Sequence, residues 1–154
     1  MFELTATKIE PADEKNRLLA PGAGALATFE GWVRDNNEGK SVSSLTYEAY
    51  ETLANTEAEK ILLEAREKFG FLHARAVHRT GRLAIGEIAV WVGVSSPHRK
   101  EAFAACQYII DEIKHRLPIW KLEEYTDGTS EWVNCAACSQ SNSSPKAKSE
   151  AVKV

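Results

Sequence analysis

Hydrophobic and polar residues alternate over several short segments of the chain, a pattern that is typical of strands with one buried face. The clearest case is 25–33, which follows a glycine-rich segment and ends at a polar one. The same alternation predicts further strands, the last of them short, at 2–9, 42–50, 74–80, 82–85, 87–94 and 131–135. We therefore expect a sheet-rich domain with short connections.

A second pattern, with apolar residues three or four positions apart, predicts two principal helices. The first, 56–69, consists of strong helix formers and ends at Gly70. The second begins with Ser96 as its N-cap and ends at Leu117, because Pro118 cannot continue a helix. Strands grouped around two helices predict an α+β domain with a mainly antiparallel sheet.

The end of the chain has a different composition. Segment 139–154 is rich in serine and lysine, and valine is its only large apolar residue type. Such a segment buries too little apolar surface to offset the entropy lost on ordering. We interpret it as a flexible tail after a single domain, residues 1–138, which is large enough for its own core.

Charge and hydropathy narrow the possible partners. The chain has a net charge of -3 and a pI near 5.8, whereas proteins that bind duplex nucleic acid usually carry a broad basic face. No apolar run is long enough for a bilayer, and the amino terminus has no signal pattern. With only three cysteines, the chain is expected to be cytoplasmic, with neither nucleic acid nor membrane as a partner.

Two basic residues, His98 and Arg99, stand at the start of the second predicted helix, where the helix dipole favours acids. A bound anion would remove this conflict, because a helix amino terminus presents N–H groups without helical partners. The alternative is that both side chains point into solvent or pair with an acid elsewhere. The sequence pattern leaves both interpretations open.

Three further cations are candidates for chemistry. Arg34 follows the clearest predicted strand, at the start of a polar loop. Lys121 follows a predicted turn at 118–120, and Lys114 lies on the preceding helix. A lysine held against the apolar residues of that turn would be partly desolvated and usable as a base, acid or nucleophile. The alternative is that both lysines are ordinary surface residues.

Helix geometry separates two of these candidates. His98 and Lys114 are 16 positions apart, which is about 24 Å along a continuous helix. One small substrate cannot easily contact both within a single chain. If both act on it, we expect a symmetric dimer in which the helix start of one subunit approaches Lys114 and Lys121 of the other.

The sequence gives little support for a metal or cofactor. Cys135 and Cys138 have the spacing of a redox or zinc pair, but no second pair with finger spacing accompanies them. No phosphate-binding glycine loop or nucleophile elbow is present either. We therefore expect an activity that needs no metal and no cofactor.

Five segments follow one another along the chain: FEGWVRDNNEGK at 29–40, LTYEAY at 45–50, HRTGRLAIGE at 78–87, VGVSSPHRKEAF at 92–103 and IKHRLPIWKLE at 113–123, followed by WV at 132–133. Together they span nearly the whole domain. In this order and spacing they resemble the family of large, catalytic subunits of molybdopterin synthase.

The resemblance implies an α/β hammerhead-type fold and a sulfur transferase of molybdenum-cofactor biosynthesis. Such an enzyme converts cyclic pyranopterin monophosphate to molybdopterin by building its dithiolene. The sulfur donor is the C-terminal thiocarboxylate of a small ubiquitin-like subunit that ends in Gly-Gly. The resemblance also implies a central dimer of large subunits with a small subunit at each end, a heterotetramer.

The resemblance further implies the site residues. The family's substrate-binding positions fall on Arg34, His98, Arg99, Lys114, Lys121 and Glu123, and the catalytic ones on Lys114 and Lys121. We expect the arginines and the histidine to hold the substrate phosphate through charge-assisted hydrogen bonds. The lysines would stabilise developing negative charge and move protons.

Two departures from the family pattern stand near the end of the domain. Leu122 and the segment from Asn134 occupy places where basic residues are common in the family. Two alternatives also stay open: a non-catalytic module that docks the same small partner, and a single-stranded nucleic-acid binder that uses the four tryptophans. The complete set of cations argues against the first, and the acidic net charge argues against the second.

Overall fold

The computed structural model describes residues 1–135, which form nine strands and three helices. The strands are β1 (Phe2–Thr5), β2 (Ala25–Trp32), β3 (Asn36–Asn37), β4 (Lys40–Ala49), β5 (His73–Arg79), β6 (Gly81–Ala84), β7 (Ile88–Ser96), β8 (Ile119–Tyr125) and β9 (Ser130–Asn134). The helices are α1 (Pro11–Asn16), α2 (Glu51–Phe69) and α3 (Arg99–Arg116).

The first sheet has the strand order β1-β5-β7-β2. Only β1 and β5 run parallel in it, and the other neighbours are antiparallel. The two long helices contribute their apolar stripes to the main core, with Ile61 of α2 and Ile109 of α3 fully buried. The predicted α+β domain, with two principal helices and mainly antiparallel strands, is confirmed.

The second sheet is built around β4, which pairs antiparallel with β3, β6 and β8, while β9 adds to β8. β3 and β4 form a hairpin whose two turn residues, Glu38 and Gly39, both have positive φ, as a tight hairpin turn requires. The register of β4 and β8 sets Lys121 opposite Tyr47. This sheet therefore supplies the framework of the site described below.

The predicted start of the second long helix is wrong. Ser96 is the last residue of β7, where it pairs with Ala25, and its side chain is fully buried. The helix begins at Arg99 after His98 as N-cap residue, and no side chain caps it. A serine that closes a buried strand has the same identity as a serine that caps a helix, so residue type misleads here.

The predicted turn at 118–120 is also wrong from Ile119 onward, because β8 begins there. Its buried face carries Lys121 and Glu123 together with apolar residues, which hides the usual alternation. α1 and β3 were not predicted, and α2 begins at Glu51, earlier than expected. These differences extend the predicted architecture without changing its class.

The predicted domain boundary at 138 and the predicted tail at 139–154 lie outside the described residues. Within 1–135, no helix is both long enough and apolar enough to cross a membrane.

Candidate active site

A cavity of about 260 Å³ opens beside the second sheet and the last turn of α3. Its polar lining comes from seven residues: Arg34 after β2, Asn36 and Asn37 of β3, Tyr47 of β4, Lys114 of α3, and Lys121 and Glu123 of β8. Four of the six residues predicted for the site therefore lie around one cavity.

Glu123 is the centre of a hydrogen-bond network in this cavity. Its side chain is 1% exposed, and Lys121 Nζ lies 3.0 Å from its Oε1 atom. Asn37 Nδ2 donates to both carboxylate oxygens, at 2.9 and 3.0 Å, and the Tyr125 hydroxyl donates to Oε2 at 2.7 Å. Each of the two carboxylate oxygens therefore contacts two donor groups, which compensates for its burial.

The network keeps Glu123 ionised. Burial by itself would raise the pKa of this carboxyl, but the hydrogen bonds from Asn37, Tyr125 and Lys121 outweigh burial and hold the pKa below its usual range. The hydrogen bond from Tyr125 to Glu123 also raises the pKa of the Tyr125 hydroxyl, because the phenol donates its proton to a carboxylate. The cavity thus contains a fixed negative charge beside Lys121.

Local structure explains how these side chains converge. Lys121 and Glu123 are two positions apart on β8, so they point to the same face of the sheet. Lys114 lies in the last turn of α3, where the negative end of the helix dipole favours a cation. Arg34 is exposed and lies two residues beyond the end of β2, so it reaches the cavity from its rim.

His78 lies behind the cavity and is 1% exposed. Its Nδ1 atom is 2.8 Å from the carbonyl oxygen of Arg79, and its ring packs edge to face on Tyr47 with centroids 5.0 Å apart. Burial, reinforced by the charge of Lys114, lowers the pKa of His78 to about 4. The imidazole is therefore neutral at pH 7 and does not oppose the charge of Lys114.

His98 and Arg99 lie elsewhere on the chain. They line a different, open surface cavity with Pro97 and Lys100, and both side chains are exposed. The loop before β2 packs tightly there, because a Cβ on Gly24 would lie 2.5 Å from the carbonyl oxygen of Pro97. A single chain therefore does not bring the two predicted halves of the site together.

Sequence reasoning missed Asn37, Tyr47 and Tyr125 as site residues. Asn37 precedes a Glu-Gly turn, and such a turn could have signalled a hairpin that carries it towards β8. Tyr125 lies two positions beyond Glu123, the distance at which two residues of a strand share a face. Once β8 is recognised as a strand, its two-residue period places Tyr125 on the same face as Glu123.

The cysteine pair is only partly visible. Cys135 is buried, and Cys138 lies outside the described residues. In the described part of the chain, no group of three or more His, Cys, Asp and Glu side chains is arranged to hold a metal ion. Burial raises the pKa of the third thiol, Cys106, to about 11, which is the behaviour of an inert core residue.

The fold and the cavity together indicate a class of protein: an α+β protein with a cavity whose cations, gathered around one buried carboxylate, suit an anionic ligand. The family model described as MoaE protein matches residues 4–116. The chain belongs to this family, the catalytic subunits of molybdopterin synthase, enzymes of molybdenum-cofactor biosynthesis. The resemblance seen in the sequence is confirmed.

Individual relatives agree with this assignment. A molybdopterin synthase catalytic subunit of Thermoplasma volcanium is 44% identical over 130 residues, which cover 84% of this chain and 95% of the relative. The structure of molybdopterin synthase from Staphylococcus aureus matches with a TM-score of 0.81 at 38% identity, covering 86% of this chain and 96% of that one.

One further solved structure shares the fold at lower identity. It is a complex of subunits 1 and 2 of molybdopterin-converting factor from Helicobacter pylori, with a TM-score of 0.69 and 21% identity. The match covers 94% of this chain and 93% of the Helicobacter chain.

Proposed function

We propose that the cavity beside Lys114 and Lys121 is where sulfur passes from the thiocarboxylate of a small ubiquitin-like subunit to cyclic pyranopterin monophosphate. The observation that carries this proposal is the convergence of Arg34, Lys114 and Lys121, from distant parts of the chain, on one cavity. Family membership supports the reaction, and this convergence supports its location.

Lys121 is the residue best arranged to act on the reacting atoms. Its side chain is only 12% exposed, and its Nζ atom lies beside an ionised carboxylate, which favours the ammonium form. When a thiocarboxylate sulfur forms a bond to a substrate carbon, a carbon–oxygen bond breaks and its electron pair moves to the departing oxygen, where negative charge develops. Hydrolysis of the acyl–sulfur bond then leaves the sulfur on the substrate and a carboxylate on the partner. A fixed ammonium group in a partly desolvated cavity stabilises such charge more than water does, and it can donate a proton.

Lys114 and Arg34 supply the remaining positive charge of the cavity. Lys114 stands beside the neutral ring of His78, so no neighbouring imidazolium opposes its charge. Arg34, at the rim, is suited to a carboxylate or phosphate because its guanidinium donates in a planar fork. We assign to these two residues the orientation of the partner's tail and of the anionic groups of the substrate.

His98 and Arg99 complete the site from a second copy of the chain. Their exposed basic side chains suit the substrate phosphate, and the length of α3 places them too far from the cavity beside Lys121 to contact the same small substrate within one chain. A twofold axis that brings the start of one α3 to the cavity of the other resolves this separation. The assembly is then a dimer with one such cavity at each side of the axis.

The partner is a small subunit that ends in Gly-Gly, and the full assembly is a heterotetramer. The fold relative from Helicobacter pylori, a complex of two subunits, supports such a partner. An extended glycine tail suits a narrow cavity, because a chain without side chains can pass close to its walls. The low cysteine content of the sequence supports a cytoplasmic location.

Molybdopterin formation from cyclic pyranopterin monophosphate and the thiocarboxylated partner tests the proposal. Lys121→Ala should lower turnover by about 100-fold or more, because a preorganised charge is lost, while binding of the partner stays nearly unchanged. Lys60→Ala, which removes an exposed cation of α2, is the matched control and should leave turnover intact. Normal turnover of Lys121→Ala, or equal losses in both variants, would contradict the proposal.

A further inference from the structure

Trp32, the last residue of β2, lines the rim of the candidate active-site cavity together with Arg34. Its side chain is 64% exposed. An indole offers more apolar area than any other side chain, so leaving it in water at a polar cavity forgoes the stabilisation that burial would bring. Its position therefore calls for a ligand that covers it.

The indole is also held in place. Its Nε1 atom donates a hydrogen bond to Glu30 Oε2 at 2.9 Å. The pairing of β2 with β7 shifts register between Gly31 and Trp32, and bulges of this kind re-aim a side chain. A ring that is fixed before binding loses less entropy when a ligand covers it.

Two aromatic side chains line this cavity among the described residues, and they differ in what they offer. Tyr47 is 5% exposed and packs on His78, so its faces are already used. Trp32 has an exposed face beside the cations. The lysines and arginine recognise anionic groups, whereas nothing else in this lining offers an open flat surface to a heterocycle.

We infer that the indole of Trp32 is the stacking platform for the planar pyrimidine ring of a pterin-class substrate, whose anionic groups extend to the cations. This inference rests on the proposed function and adds to it the part of the site that recognises the heterocycle. Stacking of a heterocyclic base on an aromatic side chain contributes enough to change affinity about tenfold or more.

Calorimetric titration of the full chain with neopterin monophosphate, and separately with inorganic phosphate, tests the inference. Trp32→Ala should raise the Kd for neopterin monophosphate about tenfold and leave that for phosphate unchanged. Trp32→Phe, which keeps an aromatic face, should stay within about threefold of the unmodified chain. Trp132→Ala, which removes a half-exposed indole from β9 outside this cavity, is the control and should change neither.

The outcomes separate this inference from the proposed function. If the unmodified chain prefers neopterin monophosphate to phosphate and Trp32→Ala keeps that preference, the platform is wrong and the proposed function stands. If the unmodified chain shows no such preference, both are wrong. If Trp32→Ala weakens only the binding of a peptide that ends in Gly-Gly, Trp32 contacts the partner's tail and the inference is overturned.

Discussion

The two groups of predicted site residues in this molecule are built in opposite ways. In the cavity, Lys121 is largely buried and fixed by Glu123, whose carboxylate also accepts from Asn37 and Tyr125. At the start of α3, His98 and Arg99 are exposed, and within residues 1–135 neither forms an ion pair. The fold fixes the side chains of the first group, whereas the side chains of the second group are exposed to solvent.

This difference matches the parts that the two groups play in the proposed reaction. A charge that must stabilise a reacting centre is most effective when it is fixed and partly desolvated before the substrate arrives. A charge that only holds a phosphate can stay in water and adapt to the ligand. The comparison therefore predicts that changes in the cavity affect stability and turnover, whereas changes at the helix start affect substrate affinity.

The largest effect on stability is expected for Glu123→Ala. Removing this carboxylate leaves Lys121, Asn37 and Tyr125 without their shared acceptor, and loss of one partner of a buried pair costs about 3 kcal/mol. The free energy of unfolding from urea denaturation measures this cost. Glu123→Gln keeps an acceptor for Asn37 and Tyr125 and should lose less than half as much; equal losses would mean that the charge alone carries the stabilisation and that the retained acceptor contributes nothing.

A smaller effect, confined to substrate affinity, is expected for the double change His98→Ala with Arg99→Ala. We expect KM for the phosphorylated substrate to rise about 30-fold, or about 2 kcal/mol, because two charge-assisted contacts are lost. The free energy of unfolding should stay within about 0.5 kcal/mol, since both side chains are exposed.

Lys60→Ala combined with Lys68→Ala removes two exposed cations from α2 and is the control for net charge. It should leave KM unchanged. A similar rise in KM for both double variants would show that the helix start acts only through overall charge, and the contrast between the two regions would then disappear.

The smallest effect is expected from the titration of His78. Its pKa is about 4 in the folded chain and about 6.5 when unfolded, so the unfolded state binds the proton more tightly as pH falls. Between pH 7 and pH 5.5 this difference removes about 1 kcal/mol of stability. Stability lost through Glu123 has the same sign, because its pKa is also lowered in the folded state.

His78→Gln isolates the contribution of the imidazole, because the other titrations stay the same in both proteins. Urea denaturation at pH 7 and pH 5.5 should show a drop smaller by about 1 kcal/mol in His78→Gln than in the unmodified chain. Identical drops would mean that the ring behind Lys114 is not held neutral.

Sequence periodicity found most of the framework and failed where the site begins. The helix ending at Gly70 and the strand beginning at Ala25 follow ordinary hydrophobic spacing, so pattern alone predicts them. β8 escaped prediction because Lys121 and Glu123 occupy its buried face. Polar residues at buried positions weaken the pattern, and functional sites are where proteins place them.

The residues of the site also divide into those that the sequence identified and those that it missed. Sequence pattern alone offered Arg34, Lys114 and Lys121 as candidates, and the family resemblance added Glu123. The acceptor network of Glu123 depends on β3 and β8 meeting in space, and nothing in the spacing of Asn37 and Glu123 along the chain signals that meeting. Such long-range contacts are set by topology and register rather than by local pattern.

Mixed dimers test most directly whether one site is assembled from two chains. Protomers that carry Lys121→Ala are combined with protomers that carry His98→Ala and Arg99→Ala, and molybdopterin formation is measured at substrate concentrations well below KM, where both parents are slow. With random pairing, half of the dimers are mixed and each has one intact site, so we expect about a quarter of the unmodified turnover. Turnover no higher than that of the two parents would contradict a shared site.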